Sequence, residues 1–465
     1  MYTTIQAALA NANFEFPRER ITVNLSPADL RKEGTALDLP IALGVLRASK
    51  QLPLLSLSET LVVGELGLSG EVRPVRGVIS MALMAVQQGF ARMVIPRANW
   101  REVRQVTELE FVPVDTLLDA VAILTGRKAP VTPSVEDTNR QSTSVRPQYD
   151  LRFVRGQRMA RMALEIAAAG GHNLMLSGPP GGGKTLLAHC LATIQSPLER
   201  RETLSVTRVY SAAGLLPVEG IVTQRPFRAP HHTATAPALI GGGAGTPRPG
   251  EVSLAHCGVL FLDEYPEFPR NVREALRQPM ETGEVQIARA WGSVRFPARF
   301  QLLATMNPCP CGFYGVREGP RRCRCGAGSV QRYRNRVSGP MLDRFDLQVY
   351  CPPVPGQLLL TEAKAESSET VGRRVMAARA RQKERYVGLS LQCNASLRGD
   401  ALEALCRLDR ATKKLVQGAM ERGGLSARGF HRSVRVARTI ADLAGSADVT
   451  RKHFAEAFLY RGVEA

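Results

Sequence analysis

Short apolar runs alternate along most of the chain with longer stretches in which apolar positions return every three or four residues. A run of aliphatic and β-branched residues reads as a strand, and the helical return reads as an amphipathic helix. Residues 21–25, 61–63 and 93–95 are such runs and 78–88 carries helical spacing, so residues 1–127 predict a compact α+β domain. Residues 128–148 turn to Pro, Ser, Thr, Asn and Gln without apolar periodicity, the composition of a flexible linker. In residues 149–355 the runs at 174–176, 258–262 and 300–304 are apolar at consecutive positions, with helical stretches between them. That pattern predicts a parallel sheet covered by helices on both faces, with ligands expected at its strand ends. Beyond Pro355 the strand pattern stops. Residues 361–386, 401–418 and 433–443 have helical spacing, so 356–465 predicts a small helical domain. The fold class expected is α/β.

A length of 465 residues exceeds one ordinary core and agrees with several domains. With 44% hydrophobic and 22% charged residues, disorder is not the general state. The 61 Lys and Arg against 42 Asp and Glu leave a formal charge of +19, spread widely rather than confined to one tail. A polyanionic partner is the first expectation from such an excess, and a basic surface serving solubility alone is the plainer one. No stretch has eighteen consecutive apolar residues, and residues 1–13 lack a basic region followed by an apolar one. A cytoplasmic protein without a membrane partner is therefore expected. Nine cysteines are few, and odd in number, for a secreted disulfide scaffold.

Gly178, Pro179, Pro180, Gly181, Gly182, Gly183, Lys184 and Thr185 fit the phosphate-loop pattern G-x-x-x-x-G-K-S/T, between an expected strand and an expected helix. Glycines let successive backbone N–H groups close round phosphate oxygens, and the helix N-terminus adds positive potential. Lys184 would neutralise phosphate charge and the Thr185 hydroxyl would hold Mg²⁺, so ATP and Mg²⁺ are the expected cofactors. Residues 258–264 form an apolar run ending in Asp263 and Glu264, as a Walker B element does. There Asp263 would orient Mg²⁺ through its water shell and Glu264 would polarise the attacking water. Asn307 ends a third run and would hold that water near the γ-phosphate. Arg344 lies between acids in residues 341–346, as either a surface ion pair or a guanidinium supplied across a subunit boundary. Arg428, ahead of the last long helix, is a second arginine of this kind, placed to report nucleotide state from the helical lid.

Cys309-x-Cys311, eleven residues, then Cys323-x-Cys325 groups four thiols in a loop rich in Gly, Pro and Arg. Four soft ligands on two knuckles suit a structural tetrahedral Zn²⁺, with unligated thiols or an iron–sulfur cluster as alternatives. His231 and His232 are adjacent, so along a strand they would face opposite ways. A loop role near nucleotide or DNA is expected of them rather than a metal pair. Residues 284–296 alternate apolar and polar positions about Ala-Trp-Gly, the pattern of a β-hairpin. Its Arg289, Trp291 and Arg295 would bind phosphates and stack on bases of DNA, and packing of Trp291 within a subunit interface is the alternative.

The order phosphate loop, Asp-Glu strand, Asn307, Leu-Asp-Arg344-Phe-Asp and Ser-x-Arg428 resembles AAA+ ATPases. Residues 225–233 (RPFRAPHHT), 249–256 (PGEVSLAH), 306–312 (MNPCPCG) and 436–443 (VARTIADL) resemble its magnesium-chelatase-like branch and, within it, the competence protein ComM (YifB) family, over nearly the whole chain. The resemblance implies an AAA+ P-loop core with a C-terminal helical lid, Arg344 as arginine finger and Arg428 as sensor 2. It also implies a homo-oligomeric ring, a hexamer, and ATP-driven branch migration and helicase action on branched or single-stranded DNA in recombination during natural transformation. Where Trp291 stands the family usually has another Arg. The first domain resembles the Lon protease fold, residues 32–36 sitting at that family's nucleophile segment and 64–77 matching the hairpin that follows. The serine position is Ala36 and the lysine position falls near Ile79, so no Ser-Lys dyad is expected. About fifty residues of the usual family N-terminus are missing, so this domain is expected to be short. The alternative activity is a chelatase-type remodeller of a protein partner in metal insertion, against which stand the protease-like domain and the four-cysteine loop.

Overall fold

In a computed structural model of the chain the apolar runs assemble into two separate parallel sheets. The structure describes every residue except 1, 27–33, 53–56, 58, 132, 134–147, 244–246, 290–291, 317–320, 361–364, 390, 422–425 and 462–465. The linker expected at 128–148 thus lies mostly outside the described residues.

The N-terminal sheet contains β1 (Thr60–Val62), β4 (Arg92–Pro96) and β5 (Glu110–Val114) in the order β1-β4-β5, beside a hairpin of β2 (Glu65–Leu66) and β3 (Val72–Arg73). Alternation along the strands divides its two cores. Val94 and Val112 face the helices Tyr2–Asn11, Asp38–Ala48 and Leu117–Leu124, whereas Met93, Ile95 and Phe111 face the helix Val78–Gln87. Residues 21–25, expected as a strand, form no regular element. A strand needs a neighbour for its backbone N–H and C=O groups, and this stretch pairs with none of the described residues. It lies open instead along the helix Asp38–Ala48, with Val23 49% exposed.

The larger sheet has five parallel strands in the order β14-β6-β13-β10-β7. They are β6 (Leu174–Ser177), β7 (Phe227–Arg228), β10 (Val259–Leu262), β13 (Gln301–Met306) and β14 (Leu347–Tyr350). Two antiparallel pairs stand outside it: β8 (Gly241–Gly242) with β9 (Arg248–Pro249), and β11 (Glu284–Arg289) with β12 (Gly292–Pro297). Leu174, Leu176, Phe261 and Leu303 bury against one face with the helices Arg158–Gly170 and Lys184–Thr193. Met175, Leu260, Leu262, Leu302 and Ala304 bury on the other with Tyr265 and Phe268. Both faces are covered, as consecutive apolar positions require. The register pairs Met306 with Ser177 and Leu262 with Ala304, so the chain leaves β6, β10 and β13 at the same edge.

The C-terminal helices share the first of these cores through Val371, Val375, Val434, Ala437 and Phe454. The helix expected over 401–418 is two, Gly399–Leu405 and Arg410–Glu421. They part because Asp409 Oδ1 accepts from the Thr412 amide at 2.6 Å, a side-chain cap that starts a new helix. The helix expected over 433–443 begins earlier, at Ala427, behind a Ser426 cap on Gly429. No helix among the described residues is long and apolar enough to cross a membrane.

Candidate active site

The phosphate loop leaves the end of β6 and enters the helix Lys184–Thr193. Gly183 caps that helix in the left-handed region, φ 76°. At Gly178 a Cβ would stand 2.2 Å from the Cys351 carbonyl oxygen, so only glycine lets the loop pass the end of β14. Gln157 braces the loop on this side, its Nε2 donating to Gly182 O at 3.0 Å and to Pro352 O at 2.7 Å. Lys184 Nζ donates to Gly178 O (2.6 Å), Pro179 O (2.8 Å) and Asn307 Oδ1 (3.2 Å). Burial pushes its ammonium below the ordinary lysine value, an effect opposed by Cys351, Asp263 and Glu264. Phosphate oxygens are stronger acceptors for such a group than neutral carbonyls.

Asp263 and Glu264 follow β10 directly. Thr185 Oγ1 donates to Asp263 Oδ2 at 3.1 Å, and Thr305 Oγ1 donates to the other carboxylate oxygen. The same Thr305 oxygen accepts from the Glu264 amide at 3.0 Å. Glu264 sits in the left-handed region at φ 53°, ψ 47°, and its carboxylate is 52% exposed. That backbone costs a non-glycine residue about 1 kcal/mol, and here it turns the carboxylate out of the strand direction. A hydroxyl beside a fixed carboxylate suits Mg²⁺, a hard cation that takes oxygen ligands and keeps several waters.

Two residues absent from the sequence reading, Thr305 and Gln157, belong to this arrangement, and His232, expected in a loop near the nucleotide, joins them. Thr305 reads as a β-branched strand former and Gln157 as a surface polar residue before a helix, so neither carries a signal of its own. His232 Nδ1 lies 3.9 Å from Glu264 Oε2. It sits in a turn with its ring against that of His231, centroids 4.1 Å apart, and His231 Nδ1 is 2.9 Å from Thr233 Oγ1. The motifs around them are joined by Arg228, whose guanidinium donates to both oxygens of Glu251 at 2.7 and 2.8 Å.

The two arginines are elsewhere. Arg344 donates to Pro340 O at 2.6 Å and to Glu281. Arg428, in the first turn of the helix Ala427–Leu443, is exposed and has no hydrogen bond or ion pair among the described residues. Residues 284–297 do form the expected hairpin, with Arg289 opposite Gly292 and Gln286 opposite Arg295. Arg289 and Arg295 are exposed on it, and Trp291 lies outside the described residues. Cys309, Cys311, Cys323 and Cys325 converge, their sulfurs within 4.8 Å of one another. In the N-terminal sheet domain Ile79 is fully buried in apolar surroundings and Ala36 half-buried, while Lys32 and Glu33 are outside the described residues.

A phosphate loop and an acid-tipped strand on one parallel sheet, with a helical domain packed against it, describe a magnesium-chelatase-like AAA+ protein. Family models agree in succession: subunit ChlI of Mg-chelatase over residues 2–99, magnesium chelatase subunit ChlI over 150–359, and the ChlI C-terminal part over 365–461. The competence protein ComM of Haemophilus influenzae is 44% identical over 469 residues, 99% of this chain and 89% of that protein. The protein YifB of Escherichia coli is 43% identical over 461 residues, 99% of this chain and 88% of its own. The chain belongs to this ComM and YifB family. Its N-terminal region also shows weak similarity to an archaeal Lon protease of Methanocaldococcus jannaschii, 27% identical over 116 residues, 25% of this chain and 18% of that protein. Family membership implies ATP and Mg²⁺ as ligands.

Proposed function

We propose that the chain hydrolyses ATP in a ring of identical subunits, a hexamer, and uses the cycle to drive branch migration and unwinding of DNA in recombination. The observation that carries the first part is the convergence of Lys184, Thr185, Asp263 and Asn307 through hydrogen bonds of 3.1 and 3.2 Å at the ends of three adjacent strands. Lys184 and the loop amides hold the β- and γ-phosphates, Thr185 and Asp263 hold Mg²⁺, Glu264 polarises the attacking water and Asn307 orients it. Mg²⁺ held by Thr185 and Asp263 would supply neutralisation of the charge that phosphoryl transfer develops. Arg344 serves a neighbouring subunit's site, which is supported by its donating to Pro340 and Glu281 rather than to a residue of its own nucleotide site. Arg428, free at the start of the lid helix, closes on the nucleotide from the lid.

DNA as the polymer is supported by the net charge of +19, by the exposed Arg289 and Arg295 on the hairpin, and by a relative named as a competence protein. The thiol cluster holds Zn²⁺ in a structural role. Steady-state ATP hydrolysis is expected to rise on adding branched or single-stranded DNA and to vanish in Lys184→Ala. Glu264→Gln should keep nucleotide binding while hydrolysis falls by two orders of magnitude or more, roughly the loss of a water-activating group. An ATPase indifferent to every DNA, but stimulated by a tetrapyrrole enzyme, would replace this reading with remodelling of a protein partner in metal insertion.

A further inference from the structure

On one side the phosphate loop is held by Gln157 and lies against the Cys351 carbonyl, and the Gly178 amide donates to Met306 O at the end of β13 at 3.2 Å. Its other side meets the cysteine loop. A Cβ on Gly312 would lie 2.6 Å from Pro180 Cδ, so the first cysteine knuckle is packed directly on the phosphate loop. Gly312 is held there at φ 85° by the knuckle itself, its amide donating to Cys309 O at 3.0 Å. The same loop begins at Asn307, two residues before Cys309, and Asn307 Oδ1 accepts from Lys184 Nζ at 3.2 Å. Two groups of the nucleotide site therefore meet this loop: Pro180 packs on Gly312, and Asn307 is the loop's first residue.

Between β13 and the helix Ala327–Arg334 the described residues form no regular element. Among the described side chains of this segment Pro308 and Cys309 are buried. The thiols are arranged for a cross-link: Cys309 and Cys311 sulfurs are 3.3 Å apart, Cys309 and Cys323 3.8 Å, and Cys311 and Cys323 3.7 Å. A tetrahedral zinc with bonds of about 2.3 Å holds its sulfurs about 3.8 Å apart, whereas a polynuclear iron–sulfur cluster needs wider spacing. Backbone amides already point at the sulfurs, Tyr314 N to Cys309 at 3.3 Å and Cys325 N to Cys323 at 3.4 Å, as donors to metal-bound thiolates do.

We propose that zinc at Cys309, Cys311, Cys323 and Cys325 sets the nucleotide site, by fixing Gly312 against Pro180 and Asn307 beside Lys184, so that metal occupancy controls ATP affinity. The coupling rests on the nucleotide-site reading above. It makes the four-cysteine loop a positioning element for phosphate binding as well as a staple of its own fold.

Two variants separate the coupling from simple loss of structure. Cys323→Ser with Cys325→Ser removes two ligands, and Gly312→Ala keeps all four thiolates while driving a methyl group into Pro180. Zinc is measured by elemental analysis, and affinity by titration with a fluorescent ATP analogue in excess Mg²⁺, without hydrolysis. Wild type is expected to carry one zinc per chain and bind the analogue. The double serine variant should lose the zinc, and Gly312→Ala should retain it. Both should bind the analogue at least tenfold more weakly, roughly the loss of one well-placed phosphate contact. Wild-type affinity in a folded, zinc-free serine variant overturns the coupling, whatever Gly312→Ala does. If the serine variant does not fold, wild-type affinity in Gly312→Ala alone overturns it. Zinc-loaded wild type that binds no analogue overturns the nucleotide-site reading instead, and the coupling with it.

Discussion

Thr305 holds both acids at the tip of β10, one through its proton and the other through its lone pair. Without it Asp263 keeps only Thr185, and the left-handed turn at Glu264 loses the acceptor that offsets its backbone cost. Thr305→Val keeps the β-branched shape and removes these bonds. Its turnover number should fall by roughly ten- to a hundredfold, the usual range for groups that orient a metal ligand, with a much smaller change in analogue affinity. Glu102 acts on stability instead. Burial pushes its carboxyl from 4.5 up to about 7, against hydrogen bonds from Ser211, the Ile79 amide, Asn99 and the Val78 amide. Because the folded value is the raised one, its contribution is complete below pH 4.5 and is lost as pH rises through about 7. That amounts to something on the order of 3 kcal/mol. Wild type should therefore unfold at lower urea at pH 8 than at pH 5.5, and Glu102→Gln should flatten this difference, as followed by the fluorescence of Trp100 in a Trp291→Phe background.

At the scale of elements, the helix Ala427–Leu443 is bolted to the segment that carries Arg344. Arg432 donates to Phe345 O at 3.0 Å, and Arg435 to Asp346 Oδ1 at 3.0 Å. His172 bridges Asp346 at 3.2 Å and Thr439 at 2.7 Å. Burial alone would raise the Asp346 carboxyl, but Arg435 and His172 hold it well below the usual carboxylate range. Its contribution is thus present above the ordinary aspartate value and lost only in strong acid. Asp346→Asn leaves Arg435 without its counter-charge, and should cost about 3 kcal/mol in chemical denaturation, equally at pH 5.5 and pH 8. This network explains what the amino-acid pattern could and could not show. Strands β6, β10 and β13 are legible because a strand buried on both faces is apolar at consecutive positions, and the phosphate loop because its chemistry demands adjacent residue types. Asp346 and His172 are 174 residues apart, and each reads alone as an ordinary surface group. β7 is too short for a period, and β14 alternates buried and less buried positions because it lies at the sheet edge. Residues 21–25 show the opposite failure, a β-like run that finds no strand to pair with among the described residues.

For the whole molecule the decisive issue is whether one chain holds a complete site. Lys184, Thr185, Asp263 and Asn307 meet within the chain, whereas Arg344 donates to Pro340 and Glu281. If Arg344 completes the site of the next subunit, each ATP is held by Lys184 of one chain and hydrolysed with the arginine of its neighbour. Lys184→Ala and Arg344→Ala should then each be inactive alone, for different reasons. The first lacks a phosphate ligand but still offers its arginine, and the second binds ATP but offers none. In rings reassembled from equal amounts of both, a site works when an Arg344→Ala chain has a Lys184→Ala chain on its finger side. Half of the chains meet the first condition and half of their neighbours the second, so roughly a quarter of wild-type ATPase activity should return if subunits mix at random and fire independently. An arginine acting within its own chain leaves no chain in the mixture with both groups, and no activity returns. Recovery near zero, with mixing verified by differently tagged subunits, would therefore place the arginine in its own chain and remove the reason for a ring.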